Sequence, residues 1–165
     1  MSINGRVFLI IIGVAIIAGY VGYTLRGTRP SRQEVVRAKG TQVMPFDLDK
    51  TTHIFTPLDD GGLQEVIVKD PNDEKNIAFI HQHLQKEATN FQKGDYSDPA
   101  FIHGVSMAGL SDLSQAAEKI TVTYSALPNG AQITYVSQDP QVINAIHAWF
   151  MAQAMDHGSD ALMHE

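Results

Sequence analysis

Residues 7–25 read VFLIIIGVAIIAGYVGYTL and carry no charge, between Arg6 and Arg26. At about 1.5 Å per residue, this stretch makes a helix of roughly 28 Å, close to the thickness of a bilayer's hydrocarbon layer. The pattern predicts one transmembrane helix over 7–25, preceded by a short tail, 1–6. A secretory signal has a shorter apolar core, and Gly19-Tyr20-Val21-Gly22-Tyr23 is a poor cleavage site, so a retained anchor is expected. Tyr20 and Tyr23 suit the interfacial belt. Ala15, Ala18, Gly19 and Gly22 share one face in small-xxx-small spacing, which predicts a transmembrane-helix partner.

Beyond residue 43 the pattern becomes that of a folded domain, 44–165. Strands are expected near 53–56 and 63–69, around the turn Asp59-Asp60-Gly61-Gly62. After Asp70-Pro71, a helix is expected from about 73 to 92. The same order then recurs. Strands are expected near 119–125 and 132–137 around Pro128-Asn129-Gly130, and a helix from about 141 to 155 after Asp139-Pro140. Asp-Gly and Asn-Gly steps between β-rich runs signal hairpins, and Asp followed by Pro signals a helix start. One helix has its apolar stripe at Ile77, Ile80, Leu84, Ala88 and Phe91, the other at Ile143, Ile146, Phe150 and Ala154. His81 aligns with His147, and Glu87-Ala88 falls on Gln153-Ala154. The expected fold is α+β: two ββα repeats forming a four-stranded antiparallel sheet with both helices on one face, plus the N-terminal transmembrane helix.

Two segments fall outside this pattern. Residues 26–43 are basic and polar and read as a juxtamembrane linker with a helical turn or two after Pro30. Residues 93–117, rich in Gly, Ser, Asp and Pro at first, read as a long loop closed by a short helix from about Ser111. Long loops often carry function.

Charge then narrows the function. Residues 40–165 hold six lysines, no arginine and 17 Asp and Glu, a net of −11 before histidine is counted. That excludes nucleic acid as a partner and disfavours phosphate substrates, which arginine usually grips. It suits a basic protein partner. Without cysteine there are no disulfides, thiolate metal sites or thiol nucleophiles. Arg26, Arg29, Arg32, Arg37 and Lys39 follow the anchor, opposed only by Glu34. They can lie on anionic lipid headgroups, and by the positive-inside rule they favour a cytoplasmic domain.

Several stretches carry a resemblance: Thr52-His53-Ile54-Phe55, Val68-Lys69-Asp70-Pro71-Asn72-Asp73, Gly94-Asp95-Tyr96-Ser97-Asp98-Pro99-Ala100, Ile102-His103-Gly104 and Ala145-Ile146-His147-Ala148-Trp149-Phe150. Over about residues 50–162 the chain resembles a family of small, largely uncharacterised bacterial proteins sometimes labelled aspartate carbamoyltransferase. The resemblance implies a bacterial protein but no established activity. The label does not fit. A true carbamoyltransferase resembles a two-domain enzyme about twice as long, with an arginine-rich loop for carbamoyl phosphate. Here the nearest match, Gly27 to Arg32, lies beside the membrane, and the folded domain has no arginine.

Histidine and methionine remain as the candidate chemistry. His103 and Met107 stand four apart in the central loop, and His147 and Met151 share that spacing on the second helix, where Met155 continues the row. His83 and Glu87 are four apart on the first helix. Such pairs face one way on a helix and can share a metal. Imidazole with thioether and no thiolate favours copper, above all Cu(I), while His with carboxylate admits zinc. The expected metal ligands are therefore His103, Met107, His147, Met151, His83 and Glu87, with His103 first because a Gly-flanked loop presents it. His81 and His147 also suit a packing role beside the apolar stripe, and His157 and His164 read as residues of a frayed terminus. Ser106 near His103, with Asp98 or Asp112, has the ingredients of a triad but no nucleophile elbow.

The expected function is a membrane-anchored domain that binds a transition metal, with copper the first candidate, through His and Met for storage, delivery or sensing. The alternative is a non-catalytic assembly subunit of a membrane complex. The expected place is the bacterial inner membrane. His/Met metal handling without thiols suits the periplasmic side, against the local charge count.

Overall fold

The computed structural model describes residues 29–164, so the predicted span 7–25 lies outside the described residues. No helix among the described residues is long and apolar enough to cross a membrane. The chain divides after Ser31, and one compact unit begins at Arg32.

Two tight turns fold the sheet. Strands β1 (Thr51–Leu58) and β2 (Gly61–Val68) pair antiparallel across Asp59-Asp60, and β3 (Thr121–Leu127) and β4 (Gly130–Val136) across Pro128-Asn129. β2 and β4 then pair antiparallel, with Gln64 opposite Ile133. The close approach of these central strands requires glycine at both hairpins. A Cβ on Gly61 would lie 1.9 Å from the Tyr135 carbonyl oxygen, and one on Gly130 2.0 Å from that of Val66.

A long helix follows each hairpin. The first, which follows the short helix α1 (Arg32–Val43), is α2 (Glu74–Phe91), and the second is α5 (Pro140–His157). Asp73 caps α2 by accepting from Asn76 N at 3.2 Å, and Asp139 caps α5 by accepting from Gln141 N at 2.9 Å. Capping satisfies backbone donors that a helix start leaves unpaired. Tyr135 of the sheet meets Phe91 of α2 at 6.3 Å and Trp149 of α5 at 5.6 Å, so both helices lie on the same face. Phe55, Val66, Ile133, Tyr135, Ile80, Leu84, Trp149 and Phe150 fill the core between them.

The fold is α+β with five helices among the described residues and a five-stranded mixed sheet, in the order β3-β4-β2-β1-β5. The sheet therefore departs from the expected four-stranded antiparallel one. After α5, Gly158 takes φ 57°, and the short turn Gly158–Asp160 sends the chain back along the sheet. β5 (Ala161–Met163) then pairs parallel with β1. Its three residues are too short to show a period, so the sequence pattern carries no sign of it.

Within its described residues, the segment 26–43 also differs from a linker. Its residues Arg32–Val43 form three turns of helix, α1, with Val36 and Gly40 buried. Arg37 pairs with Asp49 and with Asp160, the latter at 2.5 Å, fastening α1 to the domain. The expected central loop contains α3 (Ser97–His103) and α4 (Leu110–Gln115), and α1 packs against α3 and α5.

Candidate functional site

The helices α1, α2, α3 and α5 close over the sheet and leave a narrow cavity within the core, its walls largely apolar but carrying several polar side chains. It has about 490 Å³ of empty space, part of it open to solvent, and only a small part is wide enough for a water centre. Four histidines line it, each from a different segment: His53 of β1, His83 of α2, His103 of α3 and His157 of α5. Glu87, Asp98, Gln64, Gln153, Trp149 and Met44 share the lining.

Local structure explains how each arrives. Strand alternation puts His53 on the face of Phe55 and Thr51, towards the helices. On α2, His83 and Glu87 are one turn apart on the cavity side. On α5, Trp149, Gln153 and His157 form a row at four-residue spacing.

Three rings form one group. His53 stacks on His157 with centroids 4.9 Å apart and planes 7° apart, and His103 meets His157 edge-on at 5.0 Å. His83 stands at the same end, edge-on to Phe46 at 5.7 Å, while Phe46 lies 6.1 Å from His53.

Burial sets the protonation. It pushes His53 down to about 4, helped by His83 and His103. It pushes His83 down to about 4, helped by Lys86 and opposed by Asp98. His157 falls well below its ordinary value for the same first reason, with His53 and His103 adding to the effect. Burial also lowers His103, and Asp156 opposes the shift. These are neutral imidazoles at pH 7. Burial raises the Glu87 carboxyl to about 7, and neighbouring Asp98 adds to the rise. Burial also pushes Asp98 up, but hydrogen bonds that it accepts from Lys86 and Glu87 outweigh it and hold that carboxyl low.

A charged relay sits behind the histidines. Asp156 Oδ2 lies 2.8 Å from His103 Nδ1, and Arg32 grips the same carboxylate with Nε at 2.9 Å and Nη2 at 2.5 Å. Arg32 Nη2 also donates to the His103 carbonyl at 2.5 Å. A carboxylate only accepts, so Nδ1 carries the proton and Nε2 keeps its lone pair.

No family model, no curated protein and no solved structure matches this chain.

Of the six residues expected as ligands, the structure brings His83, Glu87 and His103 to one cavity. His103 is not loop-presented: it ends α3 and is 4% exposed, because α1 and α5 cover it. Met107 is buried in the hydrophobic core and is not part of the cavity lining. His147 lies apart, its Nε2 donating to the carbonyls of Leu58 at 3.0 Å and Gly61 at 2.8 Å. Met151 is 59% and Met155 72% exposed on the solvent side of α5. His157, expected at a frayed end, is a central cavity residue, and its place in the row from Trp149 was a usable signal. His53, Met44, Gln64 and Gln153 are further residues that pairwise spacing did not single out. Among the described residues, no group of three or more His, Asp or Glu side chains is already set to hold a metal ion.

Proposed function

We propose that this chain is a membrane-anchored metal-binding domain of the bacterial inner membrane, with copper as the first candidate ion, in a storage, delivery or sensing role. The observation that carries this reading is the convergence of four neutral histidines, His53 and His103 buried and His83 and His157 half-buried, from four segments on one cavity. Neutral imidazole is the ligating form. The His103–Asp156 contact supports it, because carboxylates characteristically hold the far nitrogen of a metal-bound imidazole. Met44 adds a thioether to the same lining, and imidazole with thioether and no thiolate suits copper.

On this reading the ligands are drawn from His53, His83, His103, His157 and Met44, and the ring nitrogens turn inward when the ion enters. The predicted helix 7–25 holds the domain on the bilayer, and the thiol-free ligand set suits the periplasmic side. The two ββα units, and the likeness to the uncharacterised bacterial family, belong to the same proposal.

The test is titration of the detergent-solubilised full chain with Cu(I), Cu(II) and Zn(II) against competing chelators. One ion per chain is expected, bound at least about 100-fold more tightly than by a His53→Ala/His157→Ala variant. Affinity equal to that of the double variant removes the metal reading.

A second reading, an assembly subunit, is favoured by the exposed apolar residues Phe101, Val105, Met151 and Met155. Single exposed apolar side chains are ordinary, but four on one small unit suit a protein contact. Purification in mild detergent as a lone monomer or homodimer would count against it.

A further inference from the structure

The middle of the cavity differs chemically from its histidine end. Along α5, His157, Gln153 and Trp149 make a row about 12 Å long. Along α2, His83, Glu87 and Phe91 make a second row running the opposite way. Phe91 meets Trp149 at 5.8 Å, and His83 stands at the end of Phe46 and His53. Glu87 and Gln153 therefore occupy the middle of their rows. Gln64 and Ile133, paired across the central strands, close the floor below them.

Glu87 and Gln153 are each 5% exposed and Trp149 is 0% exposed. Each leaves one buried polar atom without a hydrogen-bond partner: Glu87 Oε1, Gln153 Nε2 and Trp149 Nε1. Lys86 Nζ forms an ion pair with Glu87 Oε1 at 3.3 Å, outside good hydrogen-bond geometry, and a carboxylate oxygen has room for a second donor. Most buried polar groups are paired, and an unpaired one is costly. Three such atoms around one cavity call for a partner from outside the fold.

Their chemistry defines that partner. The indole N–H and the Gln153 amide nitrogen only donate, so they require an acceptor. Glu87 Oε1 takes a donor. Asp98 beside Glu87 and the acidic balance of residues 40–165 disfavour an anion. The narrowness of the space limits the partner to a few atoms. We propose that the middle of the cavity binds a small neutral amide, its carbonyl oxygen held by Trp149 Nε1 and Gln153 Nε2 and its N–H by Glu87 Oε1. This site goes beyond the metal reading and does not depend on it.

Trp149 is the chain's sole tryptophan, so the isotope-labelled full chain in detergent gives a single indole N–H resonance. The metal-free protein is titrated with acetamide, and with acetate and acetone as comparators. Acetamide should move that resonance saturably in the millimolar range. Acetate, an anion, and acetone, which lacks a donor, should each bind at least about tenfold more weakly. Gln153→Met should weaken acetamide by about tenfold or more, whereas Glu87→Gln, whose carbonyl still accepts, should stay within about threefold. Glu87→Met gives a second removal should Gln153→Met fail to fold. A shift that does not saturate means that water alone serves these atoms, and it overturns the proposal. Equal responses to the three probes, or indifference to both methionine variants, do the same. Metal titration is read separately, so failure of either idea leaves the other standing.

Discussion

His103 Nδ1 lies 2.8 Å from Asp156 Oδ2, within a contact that also takes both arms of Arg32. This joins the start of α1 to the histidine end of the cavity through one carboxylate. Hydrogen bonds from His103 and Arg32 hold the Asp156 carboxyl below its ordinary value even though burial alone would raise it.

Asp156→Asn keeps an acceptor for His103 but removes the charge. A destabilisation of about 2 kcal/mol is expected, below the figure for a fully buried pair because Arg32 is half exposed. Metal affinity should fall about 10- to 100-fold, as when a carboxylate behind a ligating imidazole is lost. Denaturant unfolding and chelator competition on the same preparation check both.

The hairpin histidines should behave differently. His81 Nε2 donates to the carbonyls of Leu127 at 3.2 Å and Gly130 at 2.7 Å, as His147 does to those of Leu58 and Gly61. The helix after each hairpin thus clasps the turn of the other. His81→Ala and His147→Ala should each cost about 1 kcal/mol, the net worth of a shared hydrogen bond and some packing. Neither should change metal affinity. A large loss of affinity in His147→Ala would restore that residue as a ligand.

The legible and illegible parts of this chain divide along physical lines. Hairpins and long helices carry local signals: Gly61 and Gly130 at the turns, Asp73 and Asp139 at the caps, and apolar stripes along α2 and α5. The elements fall within a few residues of the spans those signals predict. β5 carries no such signal, since three residues pair with β1 only once Gly158 has turned the chain. Burial of His103 is equally non-local. Gly104 marks a helix end and suggests exposure, yet α1 covers the residue with Arg32, which lies 71 positions away. Pairs at i, i+4 found His83 and Glu87 because one helix face presents both. They could not find His53, which arrives from the sheet.

Acid and base should act on stability in opposite directions through the cavity. His53 and His83 are pushed down to about 4, so between 6.5 and 4 the unfolded chain binds more protons. Stability is present above 6.5 and lost as pH falls through that window, by up to about 3 kcal/mol per histidine. Glu87 is raised from 4.5 to about 7, so the folded chain holds the extra proton and stability falls as pH rises through 4.5–7. With two histidines against one carboxyl, metal-free protein should gain stability from pH 4 to 6.5. Glu87→Gln removes the opposing slope, so its stability relative to the parent should rise with pH and level off above about 7. Thermal unfolding in chelator across this range is the measurement, and a relative stability independent of pH would show that Glu87 does not titrate there.

Packing and ligation can be separated at His157. Its ring stacks on His53 and stands edge-on to His103, so part of its worth is aromatic. Phenylalanine keeps a ring of similar size and loses both nitrogens. His157→Phe should therefore stay within about 1 kcal/mol of the parent, or exceed it, since an apolar ring in that place needs no hydrogen bond. Metal affinity should nevertheless drop by at least about tenfold, because no nitrogen remains to turn towards the ion. His164→Ala is the matched control. It removes an exposed imidazole whose backbone N–H, not its ring, donates to Phe55 O at 3.0 Å. It should alter neither stability nor affinity. If His157→Phe kept full affinity while His53→Ala lost it, the ion would sit on the His53 side of the stack, and His157 would be packing.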